Sequence, residues 1–252
     1  PLRSVLPFKG SRKIGVRWFL IRTLRSTRCG ETAWLSLVCS TSWRVFKKSL
    51  LKGIWIIFLE VIPLNLEPFI FDCEVFAYDW LFVFKNKITG EYTEIWNDNE
   101  AVEQFMTQEP LLAGFNNKHY DQFILKAVLS GFTPEEIKAV NDFIIVGGHE
   151  GWEYAPLRDC GIFFDQYDLM DDCQMGLSLK AIEAHLGMDI RETTVPFNID
   201  RPLTEDEKRE VEFYCRHDVD ATDRLDDLRQ GYLSSKLTLG REKGLYPAKA
   251  LY

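Results

Sequence analysis

"FIFDCEVFAYDWLFVFKNKITGEYTEIW", residues 69–96, decides the fold. Its apolar runs are aromatic and β-branched, and the polar "KNKITGE" (85–91) separates the last two. The stretch reads as one strand followed by a hairpin of two more. In the first strand Asp72 and Glu74 flank Cys73, so both acids point to one face and the thiol to the other. Two carboxylates on one face of an apolar strand are costly to bury without a positive partner. No Lys or Arg lies within ten residues on either side. The strand is therefore either an edge strand with that face in water or part of a cation site. Hard Mg²⁺ or Mn²⁺ prefers such carboxylate oxygens.

Outward from this stretch the pattern becomes helical. "NDNEAVEQFM" (97–106) reads as a short helix, and "LLAGF" (111–115) as a buried strand of the continuous apolar type. "YDQFILKAVLSGF" (120–132) carries helical spacing at Phe123, Ala127 and Val128 and stops at Gly131. "TPEEIKAV" (133–140) opens with a capping box, Thr133 with Glu136, and Pro134 in the first helical position. "SLKAIEAHLG" (178–187) is a helix capped by Ser178 and ended by Gly187. A long helix starts at "LTEDEKREVEFYC" (203–215) with a second capping box, Thr204 with Glu207. Val211, Cys215, Val219, Thr222 and Leu225 form its buried stripe. Tyr214 and Asp218 lie one turn apart on a face beside that stripe. Asp220, Asp223, Asp226 and Asp227 read as its solvated side.

Two further segments hold candidate functional groups. "GFNNKHYDQF" (114–123) spans a strand-to-helix corner, where Asp121 is either an N-cap acid or a carboxylate aimed at a neighbouring strand's ligands. Asn117 either caps the helix or contacts a substrate, and His119 reads as a surface or packing residue. In "YCRHDVDAT" (214–222), Tyr214 precedes Asp218 by one turn, a spacing that can place a hydroxyl beside a metal-bound water. His217 faces elsewhere on the helix and is not taken as a ligand.

Taken in order, D-x-E on the first strand, N-x-x-x-D at the corner and Y-x-x-x-D on the last long helix resemble the DEDD family of 3′–5′ exonucleases in its tyrosine-carrying variant. The likeness is greatest to proofreading domains of phage family B, protein-primed DNA polymerases, and it covers about Phe69 to Leu228. It implies an α/β, ribonuclease H-like mixed sheet of about five strands flanked by helices. It also implies two Mg²⁺ or Mn²⁺ ions, with Asp72 bridging both, Glu74 and Asp218 completing one site and Asp121 helping at the other. Such ions lie ~3.5–4 Å apart and clamp the attacking and leaving oxygens. Tyr214 would orient the attacking water and Asn117 would touch the nucleic acid. Phe115 and Tyr120, with Phe123 as a weaker candidate better read as core, would stack on terminal bases at ~1–3 kcal/mol each. The implied activity is hydrolysis of a single-stranded DNA 3′ end to nucleoside 5′-monophosphates. A free-standing DEDD nuclease acting on RNA or single-stranded DNA, and a non-catalytic ribonuclease H-like binding module, are the alternatives.

Composition sets the boundaries. The 252 residues are 46% apolar, enough for one sizeable α/β domain with an appendage. Residues 1–66 hold 12 of the 30 basic residues and only Glu31 and Glu60 among the 38 acids. Residues 67–252 therefore hold 18 basic residues against 36 acidic ones, a balance that disfavours tight independent binding to phosphate backbones. This places the nuclease domain at 67–230 and a basic segment at 1–66. Residues 231–252 read as the start of a further C-terminal region, expected to be a polymerase. The segment 1–66 has no Met and a hydrophobic stretch, "GIWIIFLEVIPL" (53–64), too short to span a membrane. Translation through upstream sequence is the preferred reading, with a transit peptide or a basic nucleic-acid arm as alternatives. The six cysteines form no C-x-x-C pair and no cluster with His, which argues against zinc or disulfides. Reduced thiols fit the cytoplasm of a bacterium or phage-infected host. Deleting residues 1–66 is expected to leave melting temperature and 3′-end excision nearly unchanged. A large loss of either would make the segment a working part of the domain.

Overall fold

The computed structural model describes residues 68–158, 160–173 and 177–245. They lie within the second of the two compact units into which the chain divides, residues 65–252. The expectations for residues 1–66 fall outside the described residues.

Five strands form one mixed sheet: β1 (Pro68–Val75), β2 (Trp80–Asn86), β3 (Tyr92–Trp96), β4 (Leu111–Gly114) and β5 (Gln166–Asp168). Their order is β3-β2-β1-β4-β5. The first three pair antiparallel through short turns, while β4 and β5 run parallel to β1 and need helical crossovers. The helices are α1 (Asn99–Met106), α2 (Asp121–Leu129), α3 (Pro134–Ile145), α4 (Ala155–Arg158), α5 (Leu179–Leu186) and α6 (Glu205–Glu242). Both sequence-read capping boxes form, Thr133 with Glu136 and Thr204 with Glu207. Ser178 caps α5, and Gly187 ends it in the left-handed conformation. Among the described residues no helix is long and apolar enough to cross a membrane.

Alternation along β1 divides the core. Phe71, Cys73 and Val75 join Phe82, Phe84 and the buried faces of α1, α2 and α3 on one side. Ile70 joins Leu81, Val83 and the stripe Val211, Cys215, Val219 and Leu225 of α6 on the other. Asp72 and Glu74 share the face of Ile70, so they look toward α6. Because β1 is the central strand, the edge-strand alternative is overturned.

Two features were not legible in advance. β5 is only three residues long and carries Gln166 and Asp168, too short and polar for a period-two pattern. It is buried because its polar side chains are satisfied: the amides of Asn117 and Gln166 bond each other at 2.8 Å, and Gln166 also donates to Gln122 at 2.9 Å. The long helix also runs unbroken through residue 231 to Glu242, so the 230/231 boundary falls inside α6.

The second half of α6 corrects the sequence reading of its acids. Lys85 of β2 bonds Asp220 and Asp223, and Lys87 bonds Asp223, Asp226 and Asp227. Asp226 is fully buried and accepts from the Tyr167 hydroxyl at 2.8 Å and from Gln230 at 2.6 Å. The carboxylates hold both lysine pKa values above their ordinary range against the opposing pull of burial. These acids clamp α6 to the sheet, and Asp227 alone is half exposed among the partners of Lys87. The spacing misled because the lysines come from a hairpin more than 130 residues earlier. Asp226→Ala leaves the buried Tyr167 hydroxyl without its acceptor and removes the one fully buried partner of Lys87, and is expected to cost roughly 2 kcal/mol. Asp227→Ala is expected to cost less than about 0.5 kcal/mol. Urea unfolding of the two variants checks the contrast, and equal midpoints would contradict the clamp.

Candidate metal centre

Asp72 and Glu74 project from the middle of β1 under α6. Glu74 is nine-tenths buried. Oxygen atoms of Asp72 and Glu74 and the Sγ of Cys215 all lie within 4.8 Å of one another. Cys215 occupies the buried stripe as read, and its thiol donates to Asp72 Oδ2 at 3.7 Å. Burial, followed by the neighbouring carboxylates, pushes the Cys215 thiol well above its usual range. It therefore stays neutral and acts as a donor beneath the acids.

Asp218, one α6 turn after Tyr214, is buried beside them. Its carboxylate receives Lys180 Nζ of α5 at 2.5 Å. The same ammonium sits over the Tyr214 ring, 4.9 Å from its centroid. Lys180 is the functional group missed in the sequence. It stands in a helix read only for its caps, more than 100 residues after Glu74, and no spacing rule links the two. The Tyr214 hydroxyl is half-buried and held protonated, first by burial and then by the charges of Asp218 and Glu74.

Asp121 opens α2 but does not cap it. The N-cap is Tyr120, and it makes no side-chain capping bond. The Asp121 carboxylate is buried and receives the Cys73 thiol at 3.1 Å, reaching β1 from the side opposite Glu74. The strand-to-helix corner is tight because a Cβ at Gly114 would meet the Asn117 side chain at 2.8 Å. Asn116 follows in the left-handed region at φ 64°, which asparagine tolerates. The buried Asp168 carboxylate at the end of β5 fixes this loop. It accepts backbone N–H bonds from Asn116 at 2.8 Å, Lys118 at 3.0 Å and Met170 at 2.9 Å.

The corner also corrects two contact assignments, those of Asn117 and Tyr120. Asn117 is fully enclosed and its amide is engaged with Gln166, so it is not presented to a ligand. Asn116 lines the cleft instead. The Tyr120 hydroxyl donates to Asn141 of α3 at 2.6 Å, and its ring packs on the core between the sheet and α2. Phe123 is core, as read. Phe115 lies in the cleft wall. That cleft, of roughly 410 Å³, is bounded by Asp72, Asp218, Phe115, Asn116, Ser178 and Thr222 among others.

The electrostatics of the cluster follow from its crowding. Burial raises the Asp72 carboxyl well above its usual range, and the charges of Asp121, Glu74 and Asp218 raise it further. Glu74 is raised by burial, then by Asp218 and Asp121, with Lys180 opposing. Burial pushes Asp121 up to about 6. One lysine does not neutralise four carboxylates. The carboxylates of Asp72, Glu74 and Asp218 are hard oxygen donors whose negative charge exceeds what Lys180 offsets, the donor chemistry that Mg²⁺ or Mn²⁺ takes, so these residues fit the implied ions. Comparison with known protein families, curated proteins and solved structures finds no match.

Raised carboxyl pKa values make the native state bind more protons than the unfolded chain. With EDTA, the contribution of Asp121 is present below its unfolded value near 3.8 and is lost as pH rises through about 6. Asp72 and Glu74 act in the same direction. Melting temperature in EDTA is therefore expected to fall between pH 5 and pH 7. Millimolar Mn²⁺ is expected to restore it at pH 7, by about 2.7 kcal/mol of stability at a hundredfold excess over Kd. A melting temperature that rises with pH in EDTA, or ignores Mn²⁺ at pH 7, would contradict the cluster.

Proposed function

We propose that this protein is a metal-dependent 3′–5′ exonuclease of the DEDD type, built on a ribonuclease H-like sheet and acting on a single-stranded DNA 3′ end. The observation that carries the reading is the grouping of Asp72 and Glu74 in the middle of β1 under α6, with Asp72 and Asp218 lining one open cleft and Asp121 adding charge from the far side of the strand. The sheet order β3-β2-β1-β4-β5 is consistent with the ribonuclease H-like arrangement. The acidic balance of residues 67–252 supports a domain that receives a frayed end from a polymerase region in the same full-length protein.

Asp72, Glu74 and Asp218 would hold the ions, with Asp121 adding charge from the far side of β1. Two Mg²⁺ or Mn²⁺ ions, when bound, supply Lewis-acid stabilisation of the phosphate oxygens and a water acidic enough to react near neutral pH. The chain's own groups do the positioning. Phe115 offers a ring to the terminal base and Asn116 a polar edge beside it. Tyr214, kept protonated, orients the attacking water through its hydroxyl. Water attacks the terminal phosphorus, the bond to the penultimate 3′ oxygen breaks, and a nucleoside 5′-monophosphate leaves. Lys180 supplies a fixed positive charge where the phosphate accumulates negative charge.

The test is single-turnover excision from 3′-labelled single-stranded DNA with Mn²⁺ or Mg²⁺, with EDTA as the control. Asp72→Ala and Asp218→Ala are expected to abolish cleavage. Tyr214→Phe is expected to fold, bind metal and lose ~10²–10⁴-fold in rate. A parallel RNA substrate separates the proofreading reading from a free-standing RNA nuclease. Undiminished cleavage by Asp218→Ala, or cleavage in EDTA, would sink the proposal.

A further inference from the structure

Glu183 of α5 is an anomaly that the proposed reaction does not use. Its side chain is completely buried, and neither carboxylate oxygen accepts a hydrogen bond. Its neighbours are two cationic or potentially cationic groups, Lys180 Nζ at 3.6 Å and His217 Nε2 at 3.7 Å. His217 Nε2 is itself 2.7 Å from the Asp189 carbonyl, a bond that ties the segment after α5 to α6. A buried carboxylate without hydrogen bonds costs folding free energy that a leucine there would not. The Lys180 ammonium and the His217 ring converging on it give that cost a purpose.

Lys180 lies between two anions. Asp218 of α6 takes its Nζ at 2.5 Å, and Glu183 stands one turn along α5 on the same side. A lysine stem has four rotatable carbons, and a single contact to Asp218 leaves the ammonium free to swing into solvent. The second, buried charge restricts that swing from behind. Glu183 also faces His217, the residue before Asp218, so one carboxylate registers α5 against the part of α6 that bears Asp218 and Tyr214.

We propose that Glu183 is a positioning residue that holds the Lys180 ammonium at Asp218 and over Tyr214, ready to meet the negative phosphate. The role rests on the exonuclease reading for its consequence in rate, but not for the placement of Lys180. Two readouts separate these. The first is the acetylation rate of Lys180 in the folded protein, followed by mass spectrometry without substrate or metal. The second is single-turnover excision. Glu183→Gln keeps the shape and removes the charge, so its melting temperature is expected not to fall while Lys180 acetylation rises several-fold. Excision is expected to drop by about tenfold or more, as small misplacements at reacting centres do. Lys180→Ala/Glu183→Gln is expected to be no slower than Lys180→Ala alone, because both changes remove one device. Glu183→Asp, which keeps the charge on a shorter stem, is expected to fall between, and it serves if Glu183→Gln fails to fold. Lys180 acetylation unchanged in the substituted proteins overturns the proposal. So does a lowered melting temperature with wild-type excision, the mark of packing alone. Raised acetylation in a protein whose wild type cleaves nothing would keep the positioning role and discard the exonuclease reading.

Discussion

Two carboxylates on the central strand of a sheet, set beneath a helix where a cleft opens, constrain everything around them. The effective cost of burying an unpaired ion is several kcal/mol. Asp72 and Glu74 meet that cost only in part. The neutral thiol of Cys215 donates to Asp72, and Lys180 reaches Asp218 next door. The remaining like charges raise one another's proton affinity, so the metal-free cluster is a store of unfavourable charge that a divalent cation would relieve. The placement of α6 across the sheet brings Asp218 and Tyr214 to this spot, and the tight corner after β4 brings Asp121 from the other side.

The same helix solves a second electrostatic problem in the opposite way. From Asp220 to Asp227 its acids meet Lys85 and Lys87, and Asp226 also takes the Tyr167 hydroxyl. These contacts neutralise charge locally and fasten α6 to β2 and β5. Two residues before Asp220, Asp218 has only Lys180 to share with its carboxylate neighbours. One helix thus carries a satisfied acidic segment that anchors it and an unsatisfied one that faces the cleft. The contrast assigns different roles to acids indistinguishable by type.

Much of the fold was legible because its signals are local. The period-two alternation of β1, the hairpin turn at 85–91, the capping boxes at Thr133 and Thr204 and the αL Gly187 each depend on a few neighbouring residues. Asp72 and Glu74 stood out for a related reason: an acid inside an apolar pattern conflicts with its surroundings wherever the chain folds. Asp218 joined them through the order of motifs that resembles the exonuclease family. What escaped depends on distant pairing. Lys180 lies in an ordinary amphipathic helix. Asn117 carries the same amide as Asn116, and the chain's turn at Gly114 alone decides which of them is enclosed. Tyr120 was turned inward by Asn141 of α3, and the acids at 220–226 were recruited by lysines of a remote hairpin. β5 is held by side-chain amides rather than by an apolar pattern, so no periodicity announces it.

The account stands on the claim that the acids around β1 form a divalent-cation site. Crystals grown with Mn²⁺ and measured for anomalous scattering test it without reference to activity. The account predicts anomalous density within coordination distance, ~2.0–2.3 Å, of the Asp72 carboxylate and of Glu74 or Asp218. Its disappearance in Asp72→Asn crystals would tie the ion to that carboxylate. Crystals at saturating Mn²⁺ with no anomalous density at the cluster, and with Asp72, Glu74 and Asp218 arranged as they are here, would contradict it.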